Sequence, residues 1–158
     1  MKHHLIFLTL IFILFNYTFS QTKCYPWKEL DKSGFTFTEI ESVYTEAVNA
    51  DTTMLTAFQG REDELHKAWM RLLQDISAFL SKNNFKWGTA TNCWNRFYFD
   101  KDGTIDHYFY KIDDFDKTEE FEKLMNEFIK NYKFPLTAEM KFKQCGYARF
   151  QDKKENNE

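Results

Sequence analysis

The chain has little glycine and proline and few cysteines, and these shortages exclude several classes of protein. Five glycines and two prolines are scattered over 158 residues, so the sequence forms neither a glycine-rich phosphate-binding loop nor a proline-rich spacer. It also contains no internal repeat and no low-complexity linker. The 21 basic and 24 acidic residues are mixed along the chain. Without a basic stripe, a nucleic-acid partner is not expected.

Residue types that carry catalysis or bind metals are also scarce. His66 and His107 are the only histidines beyond residue 20, and neither has cysteines or carboxylates at a recognised zinc spacing. The sequence has no nucleophile elbow or comparable signature of a catalytic triad. It therefore predicts a protein without enzymatic activity, cofactor or metal.

The first twenty residues predict a signal peptide. Lys2 precedes an apolar run over residues 5–15, and Ser20 supplies a small residue at a suitable cleavage point. This plan is typical of secretory signals, and the run is shorter than the about 20 apolar residues that a membrane span needs. We therefore expect an exported protein, periplasmic or secreted, with no stable membrane span after cleavage. An uncleaved anchor is the alternative.

The rest of the chain has the size of one domain. We predict a single α+β domain over residues 21–150, with a helical part over 36–85 and a strand-rich part over 92–150. The wholly polar segment 151–158 predicts a disordered tail. Aromatic residues make up 19% of the chain, and their large rings help a domain of this size to bury an adequate core.

Two helices are predicted in the helical part. Thr36 and Thr38 each precede a glutamate by three positions, which is the spacing of a capping box. The helix that follows presents Ile40, Val43, Tyr44, Ala47 and Val48 on one face. The second helix covers residues 62–81, and its apolar residues recur at helical spacing, which predicts a stripe facing the core. That stripe consists of Leu65, Trp69, Leu72, Leu73, Ile76, Phe79 and Leu80.

The strand-rich part predicts a β-β-α-β arrangement. Alternating residues before and after the turn at 100–103 are typical of a β-hairpin. A helix follows, with Asp116 as its expected cap, and Pro135 separates it from a final strand that begins near Ala138. We expect a three-stranded antiparallel sheet with the last strand beside the first. Aromatic residues on both strand faces indicate that the C-terminal helix covers one face, and the N-terminal helices or a partner cover the other.

The three cysteines are Cys24, Cys93 and Cys145. Export implies an oxidising compartment, in which a disulfide is the default expectation. Cys93 opens the first strand of the hairpin and Cys145 lies late in the last strand, so neighbouring antiparallel strands would bring them together. We predict a Cys93–Cys145 disulfide; the alternative is that both are buried free thiols.

The turn of the hairpin carries a possible metal site. Asp100, Asp102 and Asp106 lie around Gly103, and closely spaced oxygen ligands are typical of calcium loops. The further ligands and the terminal bidentate acid of such a loop are missing. Aspartate and glycine also favour tight turns. We therefore interpret these residues as turn formers.

The stretch 96–150 resembles the C-terminal domain of TonB-family energy transducers. The resemblance lies in the sequence Phe-Tyr-Phe-Asp-Lys-Asp-Gly at residues 97–103, the helix that follows, and the Lys-Phe-Pro exit at 133–135 into the last strand. It implies a small antiparallel sheet covered by a helix, which pairs through a sheet edge with a short segment of an outer-membrane transporter. The helical part has no counterpart in that minimal domain.

The resulting hypothesis is an exported interaction module of the cell envelope. An envelope protein or peptide would bind along an exposed strand, because main-chain groups at a sheet edge are available for pairing. The expected contact residues are Lys141, Lys143 and Gln144 in the final strand, or Tyr108 and Tyr110 in the second strand. The alternative is a small-ligand-binding protein or an enzyme. Its pocket would lie between the aromatic sheet face and the long helix, near Trp69, Trp87 and Trp94.

Overall fold

The computed structural model describes residues 23–34, 36–51 and 53–152 of the chain. The chain runs through β1 (Lys23–Pro26), a 3₁₀ helix (Trp27–Ser33), α1 (Phe37–Val43), β2 (Thr45–Glu46), α2 (Glu62–Lys82), β3 (Thr91–Phe99), β4 (Ile105–Lys111), α3 (Thr118–Asn131) and β5 (Phe142–Phe150). The predicted α+β class is confirmed. The predicted signal peptide lies outside the described residues.

The five strands form one mixed sheet in the order β1–β4–β3–β5–β2. The central strand β3 pairs antiparallel with β4 and with β5. The prediction that the last strand lies beside the first strand of the hairpin, β3, is therefore confirmed. The predicted three antiparallel strands are only part of the sheet, because β1 and β2 add parallel strands on the two sides of that unit. These strands have four and two residues, too few for an alternating pattern to reveal them.

One face of the sheet carries α2 and α3. The predicted stripe of α2 lies in the core, with Leu72, Ile76 and Leu80 fully buried. Phe121 and Met125 of α3 join the same apolar cluster. The observed α2 boundary differs from the prediction by one residue, because a long amphipathic pattern identifies a helix well.

The other face is covered by the 3₁₀ helix and α1. Leu30, Ile40 and Tyr44 pack there against Tyr98 and Phe109. The predicted capping box between Thr36 and Glu39 is confirmed. The helix ends at Val43 and does not continue to Val48 as predicted, because the backbone is extended at Tyr44 and enters β2. Both sheet faces are therefore covered.

The turn between β3 and β4 is locked to the exit from α3. Gly103 has φ 88°, and its carbonyl accepts a hydrogen bond from the Phe134 amide at 2.9 Å. The Ala138 amide donates to the Lys101 carbonyl, also at 2.9 Å. Ala138 is therefore held by the turn, and the final strand begins at Phe142 rather than near Ala138 as predicted.

Two further expectations concern the ends of the ordered elements. The cap position of α3 is Lys117 rather than Asp116, and it makes no side-chain capping bond. At the end of the domain, the Asp152 carboxylate accepts from the amides of Trp87 at 2.8 Å and Gly88 at 3.0 Å. The first two residues of the predicted tail are thus attached to the domain.

Among the described residues, none of the helices has the length and apolarity required to cross a bilayer.

Candidate functional site

The outer side of β5 is an open sheet edge over most of its length. On its inner side all nine residues pair with β3. On its outer side β2 pairs only with Phe142 and Lys143. Within the described residues no strand pairs with the outer side of β5 from residue 144 onward. Unpaired main-chain groups at such an edge can pair with another strand.

Backbone alternation identifies which groups face outward. The Ala47 amide donates to the Lys143 carbonyl at 2.8 Å, so Lys143 directs its main-chain groups away from β3. Because successive residues of a strand alternate in this respect, Cys145, Tyr147 and Arg149 also present their N–H and C=O groups at the outer edge. The side-chain amide of Gln144 reaches one of these groups, the Cys145 carbonyl, at 3.1 Å.

A groove runs between this edge and α2. Its volume is about 600 Å³, and it is lined by His66, Trp69, Met70, Leu73, Gln74, Ser77 and residues 147–151. Gly146 allows this arrangement, because a Cβ there would lie 3.1 Å from Nε1 of Trp69. Met70 and Tyr147 have 43% and 79% of their surface exposed. The lining has apolar, neutral polar and basic side chains but no carboxylate.

A partly buried ionic cluster lies at the N-terminal end of the edge, which β2 closes. Glu41 of α1 accepts from the Arg96 guanidinium at 2.6 Å, from the Tyr98 hydroxyl at 2.7 Å and from the Lys143 ammonium at 2.8 Å. Glu46 lies 3.7 Å from Arg96 and 3.6 Å from Lys143. Burial alone would raise the pKa of Glu41, but the bonds from Lys143, Tyr98 and Arg96 outweigh it and hold that pKa below its ordinary value.

Two of the predicted contact residues lie at this closed end. Lys143 is buried, and its ammonium donates a hydrogen bond to the Glu41 carboxylate. The Lys141 ammonium binds Asp106 at 2.8 Å and Asp100 at 3.3 Å. Both lysines therefore stabilise the domain itself, while Gln144 is the predicted residue that borders the open part of the edge.

The other predicted contact residues belong to the core. Tyr108 is fully buried, stacks on Phe97 and donates to the Asn95 side chain at 2.8 Å. Tyr110 is buried and donates to Glu122 at 2.9 Å. Their strand β4 is not an edge, because β1 pairs along it. These two side chains are therefore not available to a partner.

The aspartates of the turn are held by different lysines. Asp102 binds the Lys133 ammonium at 2.8 Å, whereas Asp100 and Asp106 both bind Lys141. Asp102 also accepts from the Thr104 amide at 2.9 Å, as turn formation requires. In the described part of the chain no group of three or more ligating side chains is placed to hold a metal ion.

The predicted Cys93–Cys145 disulfide is not formed, and both thiols are free. Cys93 pairs with Ala148 and Cys145 pairs with Arg96. The two cysteines are therefore offset by an odd number of positions along the ladder, which places their side chains on opposite faces of the sheet. The strands are neighbours as predicted, but their register separates the thiols.

The three tryptophans of the alternative hypothesis lie in separate places. Trp69 packs on Phe97 at the α2 face, and Trp87 stacks on Phe150 near the loop before β3. Trp94 lies on the opposite face, where it contacts Trp27. They therefore do not line one pocket. A cavity of about 540 Å³ is instead lined by residues 26–28, 110–116 and Thr118.

Tyr147, Arg149 and Met70 are not among the contact residues predicted from sequence. The sequence does contain one signal of a contact surface. Tyr147 and Arg149 lie on one face of β5, and the other residues of the segment 145–149 are small. This segment is an edge only because β2 stops at Glu46, and that end point could not be inferred from sequence.

No protein-family model matches this chain, and neither a curated protein nor a solved structure matches it.

Proposed function

We propose that this domain binds an extended segment of another protein by strand addition to the outer edge of β5. The observation that carries the proposal is the row of outward main-chain groups at Cys145, Tyr147 and Arg149. Such a row supplies affinity through backbone hydrogen bonds, and adjacent pockets supply selectivity through alternate side chains. The proposed role is non-enzymatic, and the predicted signal peptide would place it in the periplasm or outside the cell.

The groove beside α2 supports a protein segment as the ligand. An added strand would direct every second side chain toward Met70 and Leu73, where an apolar residue fits. Binding through a sheet edge is also what the TonB-family resemblance implies. The α2 wall of the groove is supplied by the helical part, which that minimal domain lacks.

Amide exchange can test this proposal directly. A random linear peptide library is panned against the protein, and exchange is then measured with and without the enriched peptides. We expect the peptides to slow exchange at Tyr147 and Arg149, whose amides face outward. The amides of Gly146 and Ala148 serve as internal controls, because they face β3 and are protected in both states. Enriched peptides that leave the two outward amides unprotected would refute the proposal.

Proline at the edge provides the matched variant. Tyr147→Pro removes an outward amide without removing a bond to β3, so we expect peptide binding to be lost while the circular dichroism spectrum is retained. Tyr147→Ala keeps the amide and should retain most of the affinity. Equal loss in both variants would assign the affinity to the side chain and contradict strand addition.

Small-molecule binding is a second candidate function, favoured by the cavity around Trp27. Its volume of about 540 Å³ lies in the range of ligand pockets. A metabolite screen by thermal shift would test it. A ligand that raises the melting temperature of the wild type but not of Trp27→Ala supports this site, and a screen without such a ligand rejects it.

A further inference from the structure

We propose that a second copy of this chain pairs with the open edge, β5 against β5, about a two-fold axis at Tyr147. The inference rests on the proposed function in treating this edge as a pairing surface. It adds the identity of one partner and a form of regulation, because a dimer and an extended segment would compete for the same main-chain groups.

The arrangement of outward groups is self-complementary. In an antiparallel pair centred on Tyr147, that residue lies opposite Tyr147 of the second copy, and Cys145 lies opposite Arg149. All three of these residues direct their N–H and C=O groups outward. Facing residues of this kind exchange two hydrogen bonds, so this register uses every outward group between positions 145 and 149.

The ends of the open edge match this register. At one end, β2 occupies the Lys143 position through the bond from Ala47. At the other end, β5 stops at Phe150. The residue opposite Lys143 would be residue 151 of the second copy, which lies beyond the strand. The second copy therefore pairs without displacing β2.

The side chains along the edge also fit a two-fold axis. On the helix side, Gly146 lies opposite Ala148 of the second copy, and these small residues leave room for the two α2 helices to approach. On the other face, Tyr147 meets its own copy, and cross-strand aromatic pairs are stabilising. Its ring is the most exposed large apolar side chain of the described residues. Arg149 lies opposite Cys145 and not opposite another arginine, so no like charges meet directly.

The first test is the mass of the purified protein by sedimentation equilibrium at increasing concentration. We expect a monomer–dimer equilibrium in the wild type. Tyr147→Pro removes the axial amide from both copies, and the loss of two hydrogen bonds should raise the dimer dissociation constant roughly thirtyfold. Met54→Ala changes an exposed residue outside the edge and should leave the constant unchanged. A monomer at all concentrations, or a dimer insensitive to Tyr147→Pro, overturns the inference.

The second test locates the axis. In a Cys145→Ala background, Tyr147→Cys places two thiols directly opposite each other, about 5.5 Å apart at Cα, so mild oxidation should give a disulfide-linked dimer. Met54→Cys in the same background should remain monomeric on a non-reducing gel. Equal cross-linking of both variants contradicts the proposed axis.

The third test separates this inference from the proposed function. If peptides protect the Tyr147 and Arg149 amides but the protein is always monomeric, only the dimer is rejected. If the protein dimerises at Tyr147 and no peptide binds even at concentrations at which it is monomeric, the dimer stands and the segment-binding function is rejected. If both occur, the peptides should dissociate the dimer, and coexistence of peptide and intact dimer refutes the competition.

Discussion

The Glu41 carboxylate of α1 accepts a hydrogen bond from the Arg96 guanidinium of β3 at 2.6 Å. It also accepts from Lys143 of β5, so one acidic side chain joins α1 to two strands. The side chains of Arg96 and Lys143 are only 11% and 7% exposed. A buried cation without its partner is costly, and this cluster therefore fixes α1 over the sheet.

We expect Glu41→Gln to lower the free energy of unfolding by about 2–3 kcal/mol. This loss is at or below the smallest destabilisation usually seen when one partner of a buried ion pair is removed. The reason is that the Glu41 side chain is 21% exposed and that Glu46 remains near both cations. Urea denaturation measures the change. Glu46→Gln is the matched control, since its carboxylate is further from both cations, and it should cost less than about 1 kcal/mol. Equal losses in the two variants would contradict this assignment.

The same carboxylate predicts a dependence of stability on pH. Because the pKa of Glu41 is lower in the folded state than in the unfolded state, its contribution is present above the unfolded value. That contribution declines as the pH falls through the folded pKa. We therefore expect the stability difference between wild type and Glu41→Gln to shrink as the pH falls below about 4. Urea midpoints between neutral pH and pH 3 would show it, and a constant difference would be inconsistent with this linkage.

A side chain at position 103 is expected to destabilise the hairpin turn. Its φ is 88°, and a Cβ there would collide with the Phe134 carbonyl oxygen and lie 3.1 Å from that of Leu136. We expect Gly103→Ala to lower the free energy of unfolding by about 2–4 kcal/mol through backbone strain and overpacking. Gly60 has φ 77°, and no atom lies within 4 Å of the position that a Cβ would take there, so Gly60→Ala should cost about 1 kcal/mol. Similar costs would show that the Phe134 contact is unimportant.

The cysteines should differ in reactivity. Burial raises the pKa of Cys93 to about 12 and raises that of Cys24 well above its ordinary value, whereas Cys145 is partly exposed. Thiolates are the reactive form, so a maleimide should label Cys145 first and the other two only after denaturation. Peptide mapping by mass spectrometry would establish the order. A Cys93–Cys145 linked peptide in the non-reduced map would contradict the strand register.

The sequence predicts the secondary structure well where a pattern is long. The stripe of α2, the hairpin around Gly103 and the stripe of α3 each repeat one period over many residues, and local spacing determines such patterns. The adjacency of β3 and β5 also follows from the return of the chain through α3. By contrast, β1 and β2 are too short to show a period, so the sequence predicts only three of the five strands.

The candidate site depended on tertiary structure. Tyr108 and Lys143 have the residue types of a binding surface, but the sheet order buries the first and Glu41 binds the second. Tyr147 and Arg149 are candidate contact residues because β2 ends at Glu46 and leaves their main-chain groups unpaired.

The long elements and the α+β class follow from the amino-acid sequence alone, because they depend on local periodicity. Register, sheet edges and the separation of Cys93 from Cys145 depend on pairing between distant segments, which is settled only when the chain folds.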